Sequence, residues 1–276
     1  MTKSEKIARV LTHVFLIFVA LGMIVPFAWM VLTSFKTVSE ATQMQPFHLL
    51  PKVFQCQNYS EVIKRNQFTI LYFNTIMMML WRIVSSVLFS AMTAYAFARL
   101  TFPGRQFLFG LVLFQMMVPP QLFVIPQYLM VNQLGMRNTI FALVFPGIVS
   151  AFGTFLLRQF FMSLPKELEE AAELDGCNIG QTFFKIMLPL AKSGLIALAI
   201  FTALFAFKDL LWPLIINSEA DAATLSSALS KIQGAYQTNY PQLMAASVLA
   251  IWPMVLIYIV FQKHFIQGIA SSGGKL

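Results

Sequence analysis

The sequence predicts an all-α membrane protein with several transmembrane helices. Of its 276 residues, 58% are hydrophobic and only 11% are charged, and the mean hydropathy is +0.72. Soluble domains carry about 25% charged residues. The apolar runs are continuous and do not alternate with polar residues, which is the pattern of membrane-spanning helices and not of a β-barrel.

Six apolar stretches are long enough to cross a bilayer, since a helical span needs about twenty residues. The predicted spans are residues 11–33, 70–97, 107–130, 139–161, 190–216 and 243–265. The first stretch is too long for the apolar core of a signal peptide, and no small-residue cleavage site follows it, so we expect it to remain uncleaved. Pro119, Pro120 and Pro126 interrupt the third span, which predicts either a gate or a static kink.

The distribution of Lys and Arg predicts the orientation, because cytoplasmic loops carry the excess of these residues. With a cytoplasmic N-terminus, eleven of the nineteen basic residues face the cytoplasm, six face outside, and Arg82 and Lys208 lie within spans. We therefore predict that both termini and the loop of residues 162–189 are cytoplasmic. The loop of residues 34–69 is then extracytoplasmic, with short helices of its own. The whole chain, residues 1–276, is predicted to be one transmembrane domain.

Composition and motifs argue against several other functions. The net charge of +8 is dispersed among apolar spans and forms no basic cluster for a nucleic acid. Cys56 and Cys177 fall on opposite sides of the membrane in this topology and cannot pair, and the three histidines are isolated, so we expect no metal site. The sequence has no Gly-x4-Gly-Lys-Ser/Thr phosphate loop, no nucleophile elbow and no His-Glu-x-x-His motif, so we expect no enzyme.

An acidic segment, Ser163–Gly176, is the most informative part of the chain. Five of the eleven acidic residues lie between Glu167 and Asp175. Charge is costly inside a bilayer, so this segment must lie outside the membrane. Its proline, alanine pair and Asp-Gly sequence indicate a folded docking element and not a passive connection.

Local signals predict two short helices in this region. Pro165 suits the first turn of the first helix, and the glutamates after it lie near the positive end of that helix. Ala171 and Ala172 share one face with a leucine and are small enough to let another surface approach closely. Gly176 predicts a left-handed helix end, and Asn178, with a glutamine three residues later, predicts a capping box that starts the second helix.

The order of these residues resembles the EAA signature of ABC importer permeases. Glu170–Ala172 is followed by Gly176 and then by Ile186-x-Leu188-Pro189. The resemblance extends over nearly the whole chain and includes Asn74-Thr75 at the start of the second span and Ala94–Arg99 at its end. These sequences are similar to the carbohydrate-importer branch, in particular to the second, six-span permease subunit of maltose-type importers.

The resemblance implies a subunit of a bacterial inner-membrane importer. Two permease subunits would form the pathway as a heterodimer, two ATPase subunits would drive it, and an extracytoplasmic solute-binding protein would deliver a sugar or oligosaccharide. The residues that would couple ATP hydrolysis to transport are Glu170, Ala171, Ala172, Gly176, Leu188 and Pro189. This chain would bind no cofactor itself, and ATP and Mg²⁺ would bind to the partner ATPase.

The charges inside the predicted spans leave several interpretations open. Arg82 pairs with another charge, lines the pathway or extends to the membrane surface. Lys208, Asp209 and Trp212 supply either hydrogen-bonding groups and an aromatic face for a sugar, or salt links that pack helices. Related permeases commonly have Trp-Asn where Phe207 and Lys208 stand, so a substrate contact is not carried over to this position.

Two alternative functions and one packing question also remain open. An ion-coupled secondary transporter would need coupling charges near the midplane and usually a repeated topology. An ABC importer for amino acids or peptides would share the EAA signature. Ser86, Ser90, Ala94 and Ala98 recur at four-residue spacing in the second span, which predicts close packing either within this chain or against another subunit.

Overall fold

The computed structural model describes residues 3–43, 48–233 and 238–273, with side chains for 5–43, 48–233 and 238–262. Every regular element in these ranges is helical, and the helices are numbered below in chain order. Residues 44–47 of the predicted extracytoplasmic loop lie outside the described residues. Contacts divide the chain into two compact units, Met1–Phe68 with Ala228–Trp252 and Thr69–Ser227 with Pro253–Leu276.

Among the described residues, three helices are each long and apolar enough to cross a membrane alone. They are α1 (Lys3–Ser34), α4 (Phe68–Arg99) and α15 (Tyr240–Gly273). These helices contain the first, second and sixth predicted spans. Pro26 and Pro253 lie inside α1 and α15, and neither one ends its helix.

The third predicted span consists of two helices, α5 (Arg105–Met117) and α6 (Val124–Gln133), with a 3₁₀ turn at Pro120–Phe123 between them. The segments on either side of the break are bent by 101°. The break lies at Pro119, as the sequence predicted. The prediction that Pro126 also interrupts the span is wrong, because Pro126 lies in the first turn of α6, where a missing N–H leaves no helical hydrogen bond unmade.

The fourth predicted span is bent by 52°, a break that its hydropathy did not predict. It comprises α7 (Ile140–Val144), a 3₁₀ turn at Phe145–Gly147 and α8 (Ala151–Ser163). The Ser150 hydroxyl accepts a hydrogen bond of 3.0 Å from the Gly153 N–H and so caps the new helix.

The fifth predicted span, residues 190–216, also differs from the structure. Helix α12 (Lys192–Lys208) is separated by a 76° bend from the segment that ends in α11 (Leu188–Leu190). It stops before Asp209, and a separate short helix, α13 (Leu211–Ile216), follows. The Asp209 backbone is extended, and its carboxylate accepts a 3.4 Å hydrogen bond from the Trp212 N–H, so this polar residue starts α13 instead of continuing α12.

The remaining helices are short. They are α2 (Val38–Thr42), α3 (Gln57–Asn66), α9 (Glu167–Leu174), α10 (Ile179–Thr182) and α14 (Leu225–Ile232), together with a π-helical segment at Phe183–Met187. Helices α2 and α3 lie in the loop of residues 34–69, where the sequence predicted short helices.

In the first unit, a buried lysine closes the loop that follows α1. The Lys36 Nζ donates a 2.6 Å hydrogen bond to the His48 carbonyl and lies 4.4 Å from the centre of the Trp29 ring. The Asn58 amide on α3 donates to the carbonyls of Ser34 and Lys36 at 2.8 and 3.0 Å. These bonds satisfy the carbonyls at the end of α1 and hold α3 against them.

The second unit contains two hydrophobic clusters. One includes Met78, Leu143, Ala203, Trp212 and Ile216, and the other includes Ala91, Tyr95, Leu157, Phe161, Phe183, Met187 and Leu198. The first lies around the breaks in the third, fourth and fifth spans. The second joins α4, α8 and the segment that follows α10.

Close packing within the chain accounts for the small residues of α4. Ser86, Ser90 and Ala94 are all buried. On the facing helix α8, a Cβ atom added to Gly153 would lie 2.8 Å from the Ser90 Oγ and 2.9 Å from the Leu198 Cδ1. The intramolecular interpretation of this small-residue face is therefore confirmed for these three positions.

We expect Gly153→Ala to destabilise the protein by about 1–3 kcal/mol, because the added methyl group overpacks a helix contact. The matched control is Gly110→Ala, at a helical glycine whose Cβ would meet no atom within 4 Å. That change should be neutral or should stabilise by up to about 1 kcal/mol. Thermal unfolding of the purified variants in detergent measures the difference, and equal midpoints would contradict the packing argument.

Candidate coupling loop and membrane charge cluster

The loop of residues 162–189, called the coupling loop below, begins at the end of α8, two residues before Pro165. Leu164 is extended, as expected for a residue that precedes proline, and α9 starts only at Glu167 with Lys166 as its N-cap. The prediction that Pro165 lies in the first turn of this helix is therefore wrong. The proline ends α8 instead.

Gly176 ends α9 in the predicted left-handed conformation, with φ of 79°. The Cys177 N–H donates to the Ala172 carbonyl at 2.9 Å, and the Gly176 N–H donates to the Glu173 carbonyl at 3.0 Å. This pair of bonds is the Schellman pattern, which satisfies the last carbonyls of a helix. A residue with a Cβ would be strained here, so the turn depends on glycine.

The second helix starts at the predicted capping box. The Asn178 side chain accepts from the Gln181 N–H at 2.9 Å, and the Gln181 side chain accepts from the Asn178 N–H at 3.0 Å. Helix α10 runs into the π-helical segment and then α11, in which Pro189 is exposed and Leu188 packs at the edge of the second hydrophobic cluster. The coupling loop thus contains two helical segments joined by a well-defined turn.

The two alanines of the signature do not share one accessible surface. Ala172 is only 2% exposed, whereas Ala171 and Glu170 are exposed. Leu174, at the end of the same helix, is 89% exposed. The interpretation that both alanines form a docking face is therefore corrected: Ala172 packs inside this subunit, and Glu170 and Ala171 remain available to a partner.

The inner side of α9 is held by two residues of α4. The Tyr95 hydroxyl donates to Glu169 Oε1 at 2.9 Å, and the Arg99 Nε lies 3.3 Å from Glu169 Oε2. The Arg99 Nη2 also donates to the carbonyls of Phe161 and Leu164, both at 2.6 Å. We call Tyr95, Arg99 and Glu169 the clamp, because together they join the end of α4 to the end of α8 and to α9.

Two aromatic rings pack against the Tyr95 ring of the clamp. The ring centre of Tyr95 lies 5.7 Å from that of Phe161 and 5.2 Å from that of Phe183. Sequence analysis did not assign a role to Tyr95 or Arg99. Their spacing of four residues at the predicted cytoplasmic end of a span, opposite an acidic loop, was the signal that could have identified them.

Arg82 and Asp209 form an ion pair within the second unit. Arg82 Nη1 lies 2.8 Å from Asp209 Oδ2, and the two side chains are 9% and 23% exposed. Arg82 also donates from Nε and Nη2 to the Leu143 carbonyl at 2.8 and 2.6 Å. That carbonyl lies just before the break in the fourth span, where the bend leaves it without a partner in the helix. Arg82 therefore both neutralises the Asp209 carboxylate and donates hydrogen bonds to this carbonyl. The pairing interpretation of Arg82 is confirmed.

Trp212 and Lys208, the other predicted pathway residues, have different environments. Trp212 is 4% exposed, and its Nε1–H donates to the Ala142 carbonyl at 2.8 Å, so most of its ring packs inside the subunit. Lys208 is exposed and forms no ion pair with any described residue. The structure thus brings Arg82, Asp209 and Trp212 together and leaves Lys208 outside the group.

Residues 86–271 match the family described as binding-protein-dependent transport system inner membrane component. The matched range includes the clamp, the coupling loop and all of α12 and α13.

Individual proteins are similar over nearly the whole chain. The arabinooligosaccharides transport system permease protein AraQ of Halalkalibacterium halodurans is 34% identical over 99% of this chain and 99% of its own length. The diacetylchitobiose uptake system permease protein NgcG of Streptomyces coelicolor is 31% identical over 98% of this chain and 90% of its own. A chain from the crystal structure of a bacterial ABC transporter involved in the import of the acidic polysaccharide alginate superposes with a TM-score of 0.82 and 25% identity. The match covers 96% of this chain and 99% of that one.

Proposed function

The chain belongs to the family of binding-protein-dependent transport system inner membrane components, and on that basis we propose that it forms half of the pathway of an ATP-driven sugar importer. It is a multi-pass permease subunit of the inner membrane and not an ATPase. Its relatives include permeases for arabinooligosaccharides and diacetylchitobiose, so the substrate class is a sugar or oligosaccharide. The family match argues against the ion-coupled secondary transporter.

The proposed assembly contains a second permease subunit, two ATPase subunits and an extracytoplasmic solute-binding protein. ATP and Mg²⁺ bind to the ATPase subunits, and this chain binds neither. The proposed six-span topology places both termini and the coupling loop in the cytoplasm, where an ATPase has access to α9. The loop of residues 34–69 then faces the binding protein.

The observation that carries this proposal is the two-sided character of α9. Its outer side presents Glu170 and Ala171 to the surroundings, while its inner side holds Ala172 and Glu169 within the subunit. An ATPase that binds the outer side can therefore move the helix without entering the permease core. Gly176, Leu188 and Pro189 shape and anchor the loop and do not contribute to the outer surface of α9.

Reconstitution tests the proposal directly. The chain is co-expressed with its partner permease and ATPase subunits, purified and placed in liposomes with its binding protein. Sugar uptake should require ATP and should persist after ion gradients are collapsed. Uptake that continues without ATP but stops with the ion gradient would contradict an ATP-driven importer, and so would the absence of any ATPase in a pull-down from the native membrane.

We expect Ala171→Trp to reduce ATPase binding at least tenfold while the permease still folds, because the indole blocks an exposed docking surface. The same change at Ala172 should prevent folding, because no space exists for it in the buried position. Ala8→Trp, at an exposed position of α1, controls for a surface tryptophan. The ATPase recovered with each purified variant, together with its size-exclusion profile, gives the result, and full recovery with Ala171→Trp would place the docking surface elsewhere.

A further inference from the structure

A polar cavity of about 340 Å³ lies at the break in the third predicted span. It is lined by the end of α5, the 3₁₀ turn at Pro120–Phe123 and the start of α6, together with Pro146, Asp209, Leu211 and Trp212. Its polar side chains are Gln115, Gln121, Gln127 and Asp209. The function described above assigns no role to the three glutamines.

The glutamine amides have no partner among the described residues of the chain. Gln115 and Gln121 are exposed, Gln127 is half-buried, and none of the three side-chain amides forms a hydrogen bond to a described group. An amide left without a hydrogen bond in an apolar environment costs about 1–3 kcal/mol. Three such groups within one predicted span therefore indicate contact with water, with a polar ligand or with the second permease subunit, and not with lipid.

The backbone around the cavity has the form found where a pathway passes through a transporter. Val118 is extended, and Pro119 and Pro120 prevent the helix from continuing through the bend. Interrupted helices at membrane depth are tolerated where they line a water-filled cavity or a binding site. The bend also brings Gln115 from α5 and Gln127 from α6 to the same cavity.

The charges in the cavity wall favour a neutral solute over an anion. Asp209 is the only charged lining residue, and its carboxylate is paired with Arg82 at 2.8 Å, so among the described residues the cavity wall has no uncompensated cation. Lys208 does not line it. Amides and a paired carboxylate suit hydroxyl groups, which both donate and accept hydrogen bonds. A phosphate or uronate would find no unpaired cation in the wall to compensate its charge.

We propose that this cavity is a binding site for a neutral sugar unit on its way through the membrane, with Gln115, Gln121 and Gln127 as its hydrogen-bonding groups. The inference rests on the proposed importer function and adds a substrate class to it. It places this chain with carriers of neutral oligosaccharides and separates it from the alginate importer that it resembles in fold.

The test uses the complete reconstituted importer with its binding protein at saturating concentration. The probes are two neutral oligosaccharides, arabinotriose and diacetylchitobiose, and two anions, a uronate trimer and glycerol 3-phosphate. Wild type should transport at least one neutral probe and neither anion. In the double variant Gln121→Ala/Gln127→Ala, transported sugar per ATP should fall about tenfold, since each lost hydrogen bond weakens binding severalfold. Gln133→Ala, an exposed glutamine of α6 outside the cavity, should leave that ratio unchanged.

The outcomes separate this inference from the function on which it rests. An unchanged ratio in the double variant, or transport of only the anionic probes, overturns the neutral-sugar site and leaves the importer intact. ATP-driven transport of none of the probes counts against the importer itself and therefore against both. If the alanine variant does not assemble, Gln121→Asn/Gln127→Asn, which keeps the amides but shortens their reach, replaces it and is judged by the same ratio.

Discussion

Replacing Arg82 with Leu should destabilise the permease by about 3 kcal/mol or more. The change leaves the Asp209 carboxylate without its cation and the Leu143 carbonyl without its two donors. Removal of one partner from a buried ion pair costs about 3–5 kcal/mol, and the partial exposure of Asp209 places this case at the lower end of the range. The thermal midpoint and the yield of monodisperse protein in detergent measure the loss.

A double-mutant cycle separates the ion pair from other effects of the substitution. Asp209→Leu should also be strongly destabilising, whereas Arg82→Leu/Asp209→Leu should be less destabilised than the sum of the two single changes, because no unpaired charge remains. Lys208→Asn is the matched control, since it removes a neighbouring charge that has no ion-pair partner among the described residues. It should change stability by less than about 0.5 kcal/mol. Additive single effects would show that Arg82 and Asp209 are not coupled.

The sequence identified both members of this pair as unusual but did not pair them. Arg82 and Asp209 were each recognisable because a charge within an apolar span requires a partner or water. Which partner it has depends on how α4 packs against the breaks in later spans, and that is decided by tertiary contacts that no local pattern contains. The carbonyl of Leu143 illustrates the same limit, because it needs a donor only after the fourth span has bent.

Helix breaks were predicted only where proline residues fall in the middle of an apolar run. That criterion found the break at Pro119 but also assigned one to Pro126, which lies harmlessly in a first turn. The break in the fourth span was not predicted, although Pro146 lies in its 3₁₀ turn, and there the Ser150 hydroxyl caps the helix that follows. Capping residues within predicted spans are therefore a useful second criterion, since a cap satisfies the backbone groups that a break exposes.

In the coupling loop, the capping and turn residues could be predicted from the sequence, but the side of α9 that is buried could not. The capping box of Asn178 and the left-handed Gly176 follow from short-range rules, and the structure contains both. Ala171 and Ala172 are adjacent and chemically identical, so composition could not show that only one of them is buried. The clamp determines the difference, because it fixes which side of α9 faces α4.

The second large effect concerns the clamp: we expect Glu169→Ala to leave ATP hydrolysis intact but to reduce the transport that hydrolysis drives. Glu169 is the only residue of α9 for which the described structure gives a direct hydrogen bond or ion pair to α4. If α9 moves with the ATPase, this contact carries its motion to the second span. Loss of hydrogen bonds to a charged group costs about 1.5–3 kcal/mol, which corresponds to a tenfold or greater loss of the coupled state. Transported sugar per ATP should therefore fall at least tenfold, while ATPase activity is retained.

Two further variants distinguish loss of the clamp from loss of negative charge on the acidic helix. Glu167→Ala removes the same charge from α9 at a position that forms no hydrogen bond or ion pair with Tyr95 or Arg99 in the described structure, so any weakening of ATPase docking by charge alone appears in both variants. Tyr95→Phe removes one hydrogen bond and keeps the ion pair, so its effect should be intermediate, about fivefold. If Glu169→Ala and Glu167→Ala gave the same ratio of sugar to ATP, the motion would have to reach the spans through the chain connections of α8 and α12 alone, and the clamp would serve only to hold the loop in place.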